Sequence, residues 1–268
     1  MNGAVEVRRD ELLELACSLA RDAGRLVRDG RHRGIADIAT KSSATDVVTE
    51  FDKASERYIV DGILQVRPHD GIVGEEGTDT DGTSGVRWLI DPIDGTTNFL
   101  YDLAGYAVSV AAADARGALA GAVYLPATDE LFAAGRGCGA TCNGAPIAPS
   151  GNRLLAGALV GTGFSYLPER REAQATRIAG IIGRVRDIRR FGAAAADLCY
   201  VAAGRLDVYF EEYLSPWDVA AGELIARESG CRVGDFDGGP MRPAQLLAAS
   251  PDLFDPMIEL LAGAPRTR

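Results

Sequence analysis

The apolar run Trp88-Leu89-Ile90 breaks off into Asp91-Pro92-Ile93-Asp94-Gly95-Thr96-Thr97-Asn98-Phe99, a transition that few folds can use. A short apolar run closed by Asp-Pro reads as a buried strand, and Pro92 stiffens the chain where it leaves that strand. Two carboxylates three residues apart at such a point repel each other and any bare phosphate, so a divalent cation must stand between. Gly95 permits close backbone approach. If Gly95-Thr96-Thr97 opens a short helix, its unpaired N–H groups face outward with the positive end of the helix dipole, ready to receive an anion beside cations held by Asp91 and Asp94. Asp-Pro and Asp-Gly are equally ordinary turn punctuation, so this stretch alone leaves both readings open.

Two other segments shift the balance toward a site. Upstream, Ile72-Val73-Gly74-Glu75-Glu76-Gly77 is a short apolar run ending in paired acids; downstream lies Ser215-Pro216-Trp217-Asp218. Glu75, Asp91, Asp94 and Asp218 together suit Mg²⁺, an oxygen-seeking ion that binds a few carboxylates plus substrate phosphate.

The 268 residues, 47% hydrophobic and 25% charged, are enough to bury a large core as one domain with two closely packed halves, about 1–150 and 151–268. A net charge of −10 argues against direct nucleic-acid binding, because phosphate backbones are held mainly by Lys and Arg. It also makes an anionic substrate depend on bound cations. Cys17, Cys138, Cys142, Cys199 and Cys231 form no CxxC pair and are odd in number, which disfavours a disulfide framework and fits a reducing cytoplasm. No signal-peptide pattern appears, and no apolar run approaches the roughly 20 residues that span a bilayer, so no membrane role is expected. His32 and His69 sit in no motif and read as surface residues.

Leu12, Leu15, Ala16, Leu19, Ala23, Leu26 and Val27 repeat at helical spacing, predicting an amphipathic helix that ends near Gly30. A second helix begins after Thr49, buries Phe51, Tyr58, Ile59 and Ile63, and stops before Arg67-Pro68. The acidic segment from Gly77 to Gly85 reads as a mobile loop. From Tyr106 to Ile147 short apolar runs and the turn Asn143-Gly144 predict antiparallel sheet. Beyond Ser150 the expected order is strand Leu155 to Val160, helix Pro168 to Ile182, strand Val185 to Phe191, helix Ala193 to Ala203, strand Asp207 to Phe210, and a helix from Pro216. The fold class is therefore α/β (α+β).

With these pieces placed, the chain resembles the inositol monophosphatase family. The likeness runs in order from Lys41-Ser42-Ser43 through Asp46-Val47-Val48-Thr49-Glu50-Phe51-Asp52, Gly74-Glu75-Glu76-Gly77 and the Asp91 to Phe99 signature, to Trp217-Asp218 leading into Ala220-Ala221-Gly222. The resemblance implies a layered αβαβα sandwich, a homodimer, and Mg²⁺-dependent, lithium-sensitive hydrolysis of a small-molecule phosphate monoester by an activated water. One Mg²⁺ is implied among Glu75, Asp91 and the carbonyl of Ile93, and a second among Asp91, Asp94 and Asp218. Thr96, polarised by Asp52, is implied to orient the water, while the N–H groups of Gly95 and Thr96 hold phosphate oxygens. Glu76 either contributes through water or is simply solvated.

On the leaving-group side the family's sugar-hydroxyl contacts fall on Gly192, Ala193, Ala194 and Glu211, with Glu212 the alternative if the register shifts. Ser215-Pro216 departs from the His-Cys pair of animal relatives, so the rim of the site transfers poorly. Arg184, Arg186, Arg189 and Arg190 read as the solvated edge of a strand or as phosphate-attracting cations. Asp197 reads either as an inositol contact or as a residue capping or solvating its helix. Thr49 with Asp52, and Ser215 with Asp218, are also helix-capping patterns, and a cap need not exclude a ligand. Thr97, where histidinol-phosphate and nucleotide 3′-phosphatases more often carry Lys, favours inositol 1-phosphate. The alternatives are a related superfamily phosphatase acting on fructose 1,6-bisphosphate or histidinol phosphate, or a binding role with the transcription or ribosomal RNA machinery.

Overall fold

A computed structural model describes residues 2–31, 38–40 and 47–263; Lys41 to Asp46 of the resemblance, and His32, lie outside them. Helix α1 spans Asn2–Arg31, strands β1 and β2 Ile38–Thr40 and Val47–Thr49, and helix α2 Glu50–Val66. Strands β3 (Gly71–Gly74), β4 (Asp79–Thr80) and β5 (Arg87–Asp94) lead into the short helix α3 (Thr96–Leu100). Then come β6 (Ala107–Asp114), β7 (Gly117–Leu125), β8 (Glu130–Gly135), β9 (Ala140–Cys142) and β10 (Ala145–Pro146). The remainder is β11 (Leu159–Thr162), α4 (Pro168–Ile181), β12 (Asp187–Arg189), α5 (Ala194–Ala202), β13 (Val208–Glu212), α6 (Pro216–Glu228), β14 (Arg232–Gly234), β15 (Gln245–Ala249) and α7 (Pro251–Gly263).

Apart from the small β1–β2 pair, the strands form two sheets, ordered β10-β9-β8-β7-β6-β5-β3-β4 and β12-β11-β13-β15-β14. Period-2 alternation sorts their side chains. Trp88, Ile90, Val108, Val110, Ala120, Ala122 and Tyr124 pack against Leu12, Ala16, Leu19, Ala23, Ile59 and Ile63 of α1 and α2. The opposite face, with Ala111, Val123, Leu125 and Phe132, packs on α5 and α6, which also bury Tyr209, Leu246 and Ala248 of the second sheet. The far face of that sheet, with Val208, Phe210, Leu247 and Ala249, is closed by Ile181 of α4 and by Leu253, Phe254, Met257 and Leu261 of α7. Five layers result, helix, sheet, helix, sheet, helix, which is the expected αβαβα sandwich.

Both N-terminal helices and the antiparallel run fall where the periodicity placed them, although Tyr58, expected in the buried stripe of α2, is exposed; Asn143 (φ 49°) and Gly144 (φ 79°) make the β9–β10 hairpin turn. Several boundaries differ. Residues Leu155–Gly157 form a 3-10 turn and the strand begins only at Leu159, because Leu159 N–H is captured by the Asp207 carboxylate at 2.7 Å. The strand expected over 185–191 shrinks to Asp187–Arg189 at a sheet edge. The segment expected as a loop from Gly77 pairs back as β4 on β3 through Ile72↔Thr80 and Val73↔Asp79. Strands β14 and β15 and helix α7 have no counterpart in the sequence reading.

Candidate active site

Strands β3 and β5 are parallel neighbours, so Glu75 and the Asp91–Asp94 bend emerge side by side at their C-terminal ends; Glu75 N–H continues the ladder to Ile90 O at 3.1 Å. Ligand sites of open α/β sheets collect at this edge. The register of β5 against β6 slips between Asp91 and Asp94, and Ile93 N–H turns back to Asp91 Oδ1 at 3.1 Å. That bend aims both carboxylates into one cleft of about 480 Å³. Its walls include Glu75, Asp91, Ile93, Asp94, Gly95 and Thr96 on one side, and Arg190, Gly192, Ala194, Glu211 and Asp218 on the other.

Asp91 is 2% exposed, and burial, followed by Glu75, Asp94 and Asp218, holds its carboxyl well above the ordinary range. Asp94 is pushed up to about 7, first by burial, although it accepts the N–H groups of Ala194 at 3.1 Å and Ala195 at 2.7 Å. It therefore sits at the N-terminus of α5, a second task the sequence did not disclose. Asp218 accepts Ser215 N–H at 2.6 Å at the start of α6, and burial together with Asp94 and Glu75 drives its carboxyl up as well. Cap and candidate ligand coincide here.

Oxygen donors of like charge, pressed together out of water, destabilise one another unless a proton or a cation intervenes, and this donor set fits a hard divalent ion. Glu75 is among the charges that raise the Asp91 carboxyl, and among the described residues no three of these side chains are drawn close enough to hold an ion by themselves. The ring is open toward the cleft, where substrate oxygens and water would complete a coordination shell.

At the start of α3, Thr96 hydroxyl lies 3.0 Å from Asp52 Oδ1 and 3.0 Å from Ile93 O; having one hydrogen, it donates to one of them at a time. Asp52 is fully buried and accepts Thr49 N–H at 2.7 Å and Thr49 hydroxyl at 2.6 Å through its other oxygen. Burial raises its carboxyl and these bonds partly offset the rise. Gly95 precedes Thr96 in the left-handed region at φ 87°.

Alternation along β13 separates the two adjacent acids. Glu211 lines the cleft and accepts a hydrogen bond from the hydroxyl of the buried Tyr209, and burial raises its carboxyl to about 7. Glu212 also borders the cleft, but Arg177 holds it in a buried ion pair, so it is not free for the substituting role offered to it. Gly192 and Ala194 line the cleft and Ala193 does not, and Ala194 N–H is already given to Asp94. Of the four arginines only Arg190 reaches the cleft; Arg189 pairs with Asp187, and Arg186 donates to Gly157 O. Asp197 corrects the capping or solvating alternative: it is fully buried, and its oxygens find no hydrogen-bond partner among the described residues. His69 is exposed, as expected, and all five cysteines are free thiols.

Three contributors escaped the sequence reading. Asn98 amide donates to Gly105 O at 2.5 Å and Phe191 O at 2.6 Å, stitching α3 to the loop before α5. Tyr209 orients Glu211, and Arg170, stacked 4.2 Å over the Tyr213 ring, forms part of the rim. Only Tyr209 carried a signal, its i, i+2 spacing to Glu211 on a strand. Among the described residues no helix is long and apolar enough to cross a membrane.

Comparison with known proteins places the fold. The Nus factor SuhB of Escherichia coli K12 is 41% identical over 254 residues, covering 92% of this chain and 94% of that protein. The extragenic suppressor protein suhB of Bartonella henselae superposes with a TM-score of 0.89 at 36% identity, covering 94% of this chain and 99% of that one. The inositol monophosphatase of Anabaena gives 0.85 at 31%, covering 96% and 97%. The family model described as "Inositol monophosphatase family" matches residues 8–262, and the chain belongs to that family.

Proposed function

We propose that this chain is a Mg²⁺-dependent phosphate monoester hydrolase that converts inositol 1-phosphate to myo-inositol and phosphate. Family membership supports phosphatase activity, in a family that is generally metal-dependent. The observation that carries the reading is the convergence of Glu75, Asp91, Asp94 and Asp218 on the cleft that also receives Thr96 and Glu211.

In this reading Glu75, Asp91 and the Ile93 carbonyl would hold one ion, and Asp91, Asp94 and Asp218 another. Bound Mg²⁺ would neutralise the phosphate, lower the pKa of a water and stabilise the departing alkoxide. Asp52 accepts the Thr96 hydroxyl proton, leaving a Thr96 Oγ1 lone pair to accept a hydrogen bond from the attacking water and aim its oxygen at phosphorus. As that O–P bond forms, the P–O bond to the inositol C1 oxygen breaks; the attacking water gives up one proton and the C1 oxygen takes up one, so the products are inorganic phosphate and myo-inositol. Gly95 and Thr96 N–H groups hold phosphate oxygens, and Glu211 accepts hydrogen bonds from inositol hydroxyls, with Gly192 and Ala194 forming the adjoining wall.

Phosphate release from inositol 1-phosphate, compared with fructose 1,6-bisphosphate, histidinol phosphate and adenosine 3′,5′-bisphosphate, tests the substrate. Turnover that persists in excess chelator rejects the metal, and lithium insensitivity rejects the lithium-sensitive branch. The homodimer carried by the resemblance is tested by light scattering. A second reading, association with transcription machinery, is favoured by the similarity to the Nus factor SuhB of Escherichia coli and is tested by co-purification with RNA polymerase.

A further inference from the structure

The buried face of α2 carries three polar side chains at helical spacing: Asp52 and Ser55 meet the exit of β5, and Glu56 meets the exit of β3. Asp52 takes the Thr96 hydroxyl. Ser55 hydroxyl donates to Pro92 O at 3.0 Å, inside the bend between Asp91 and Asp94. Glu56, 4% exposed, reaches the turn after β3: Oε2 accepts Glu76 N–H at 2.7 Å, and Oε1 accepts Thr78 N–H at 3.1 Å and Thr78 hydroxyl at 2.6 Å.

We propose that Glu56 is a positioning residue: it fixes the Gly74–Thr78 turn that carries Glu75 and thereby sets the affinity of the site for a divalent cation. This rests on the metal reading given above. The turn closes on itself through Gly74 N–H to Thr78 O at 2.7 Å, and the Glu56 carboxylate lies directly against it. A Cβ on Gly74 would stand 2.4 Å from Glu56 Oε2, so the backbone and the carboxylate are in close contact.

Three donors converge on two oxygens, an arrangement that only an acceptor-only group satisfies. A glutamine amide would turn its NH₂ toward either Glu76 N–H or the two Thr78 donors, opposing donor to donor in a buried setting. Glu75 is held at its own N–H by the β5 ladder, but the chain beyond it is anchored by Glu56. Releasing that anchor lets the Glu75 carboxylate sample orientations away from Asp91. Side chains that hold ligands in orientation typically change metal affinity by 10–100-fold when removed.

The test compares wild type with Glu56→Gln in two measurements that need no turnover: calorimetric titration with Mg²⁺ in the absence of substrate, and amide hydrogen exchange resolved at Glu76 and Thr78. Ion binding should weaken by roughly tenfold or more. Protection at Glu76 and Thr78 should fall, with exchange in β6 and β7 unchanged. Thr78→Val, which removes one of the three donors, should weaken ion binding by a smaller factor and keeps the question answerable if Glu56→Gln does not fold. A folded Glu56→Gln with wild-type ion affinity overturns the inference alone. Wild-type protein that binds no divalent ion overturns the metal reading, and the affinity claim with it.

Discussion

Gly95, at the start of α3, is pressed against the backbone of Gly105 and of Gly192 before α5, and Gly95→Ala measures that approach. The residue sits at φ 87°, and an added Cβ would lie 2.9 Å from Gly105 O, 3.0 Å from Gly192 O and 3.1 Å from Ala193 Cβ. Two of the three obstacles are backbone oxygens, which cannot step aside as the end of a flexible side chain can. The left-handed conformation costs an alanine about 1–2 kcal/mol, and overpacking of this kind adds about 1–3 kcal/mol. Gly85→Ala is the matched control: its φ is 80° and a Cβ there meets nothing within 4 Å, so it carries the conformational cost alone. Both substitutions reduce the freedom of the unfolded chain equally, so that contribution cancels in the comparison. Urea unfolding should therefore show Gly95→Ala less stable than Gly85→Ala by roughly 1–3 kcal/mol. Stabilities equal within about 0.5 kcal/mol would refute the close approach.

Asp91→Asn should abolish Mg²⁺-dependent phosphate release while chelator-treated protein unfolds no earlier than wild type, since one of the mutually repelling carboxylates is gone; activity above one tenth of wild type would count against its bridging role. Thr96→Ala should lower kcat by roughly a hundredfold or more with KM nearly unchanged, because water orientation matters mainly in the transition state; a rise in KM alone would make Thr96 a binding residue. Glu211→Gln should reduce kcat/KM toward inositol 1-phosphate more than toward an aryl phosphate lacking the hydroxyls, and equal losses would reject the specificity role. The Arg136 guanidinium holds Asp114 down at about 2, below its unfolded value of about 3.9, so the stability it contributes is present above pH 4 and is lost as pH falls through 2. Asp114→Asn should cost about 1 kcal/mol at pH 7, discounted for 23% exposure, and the difference from wild type should vanish near pH 2.

Helix limits, the antiparallel run and the Asn143-Gly144 turn were legible in the sequence because periodicity, capping and turn chemistry act over a few residues. Thr49 with Asp52 and Ser215 with Asp218 were legible as caps for the same reason; Ser215 and Asp218 prove to line the cleft as well, while Asp52 lies buried behind Thr96. The C-terminal strands β14 and β15 were not, because they pair only with each other and with β13, whose edge the local pattern does not reveal.

What the sequence by itself determined is the inventory: which carboxylates end buried strands, and where a glycine and two hydroxyls follow them. Tertiary structure alone decided how that inventory is connected. Asp94 meets the amides of Ala194 and Ala195 from a hundred residues away, Asn98 reaches Phe191, and Glu56 finds Glu76 and Thr78 across a helix–sheet interface. It also decided that Glu211 accepts the Tyr209 hydroxyl while Glu212 pairs with Arg177, and left Asp197 buried without a partner among the described residues. A hydrogen bond is won or lost within a few tenths of an ångström, and over separations of that length only the register of strands and the packing of layers bring donor and acceptor to that distance.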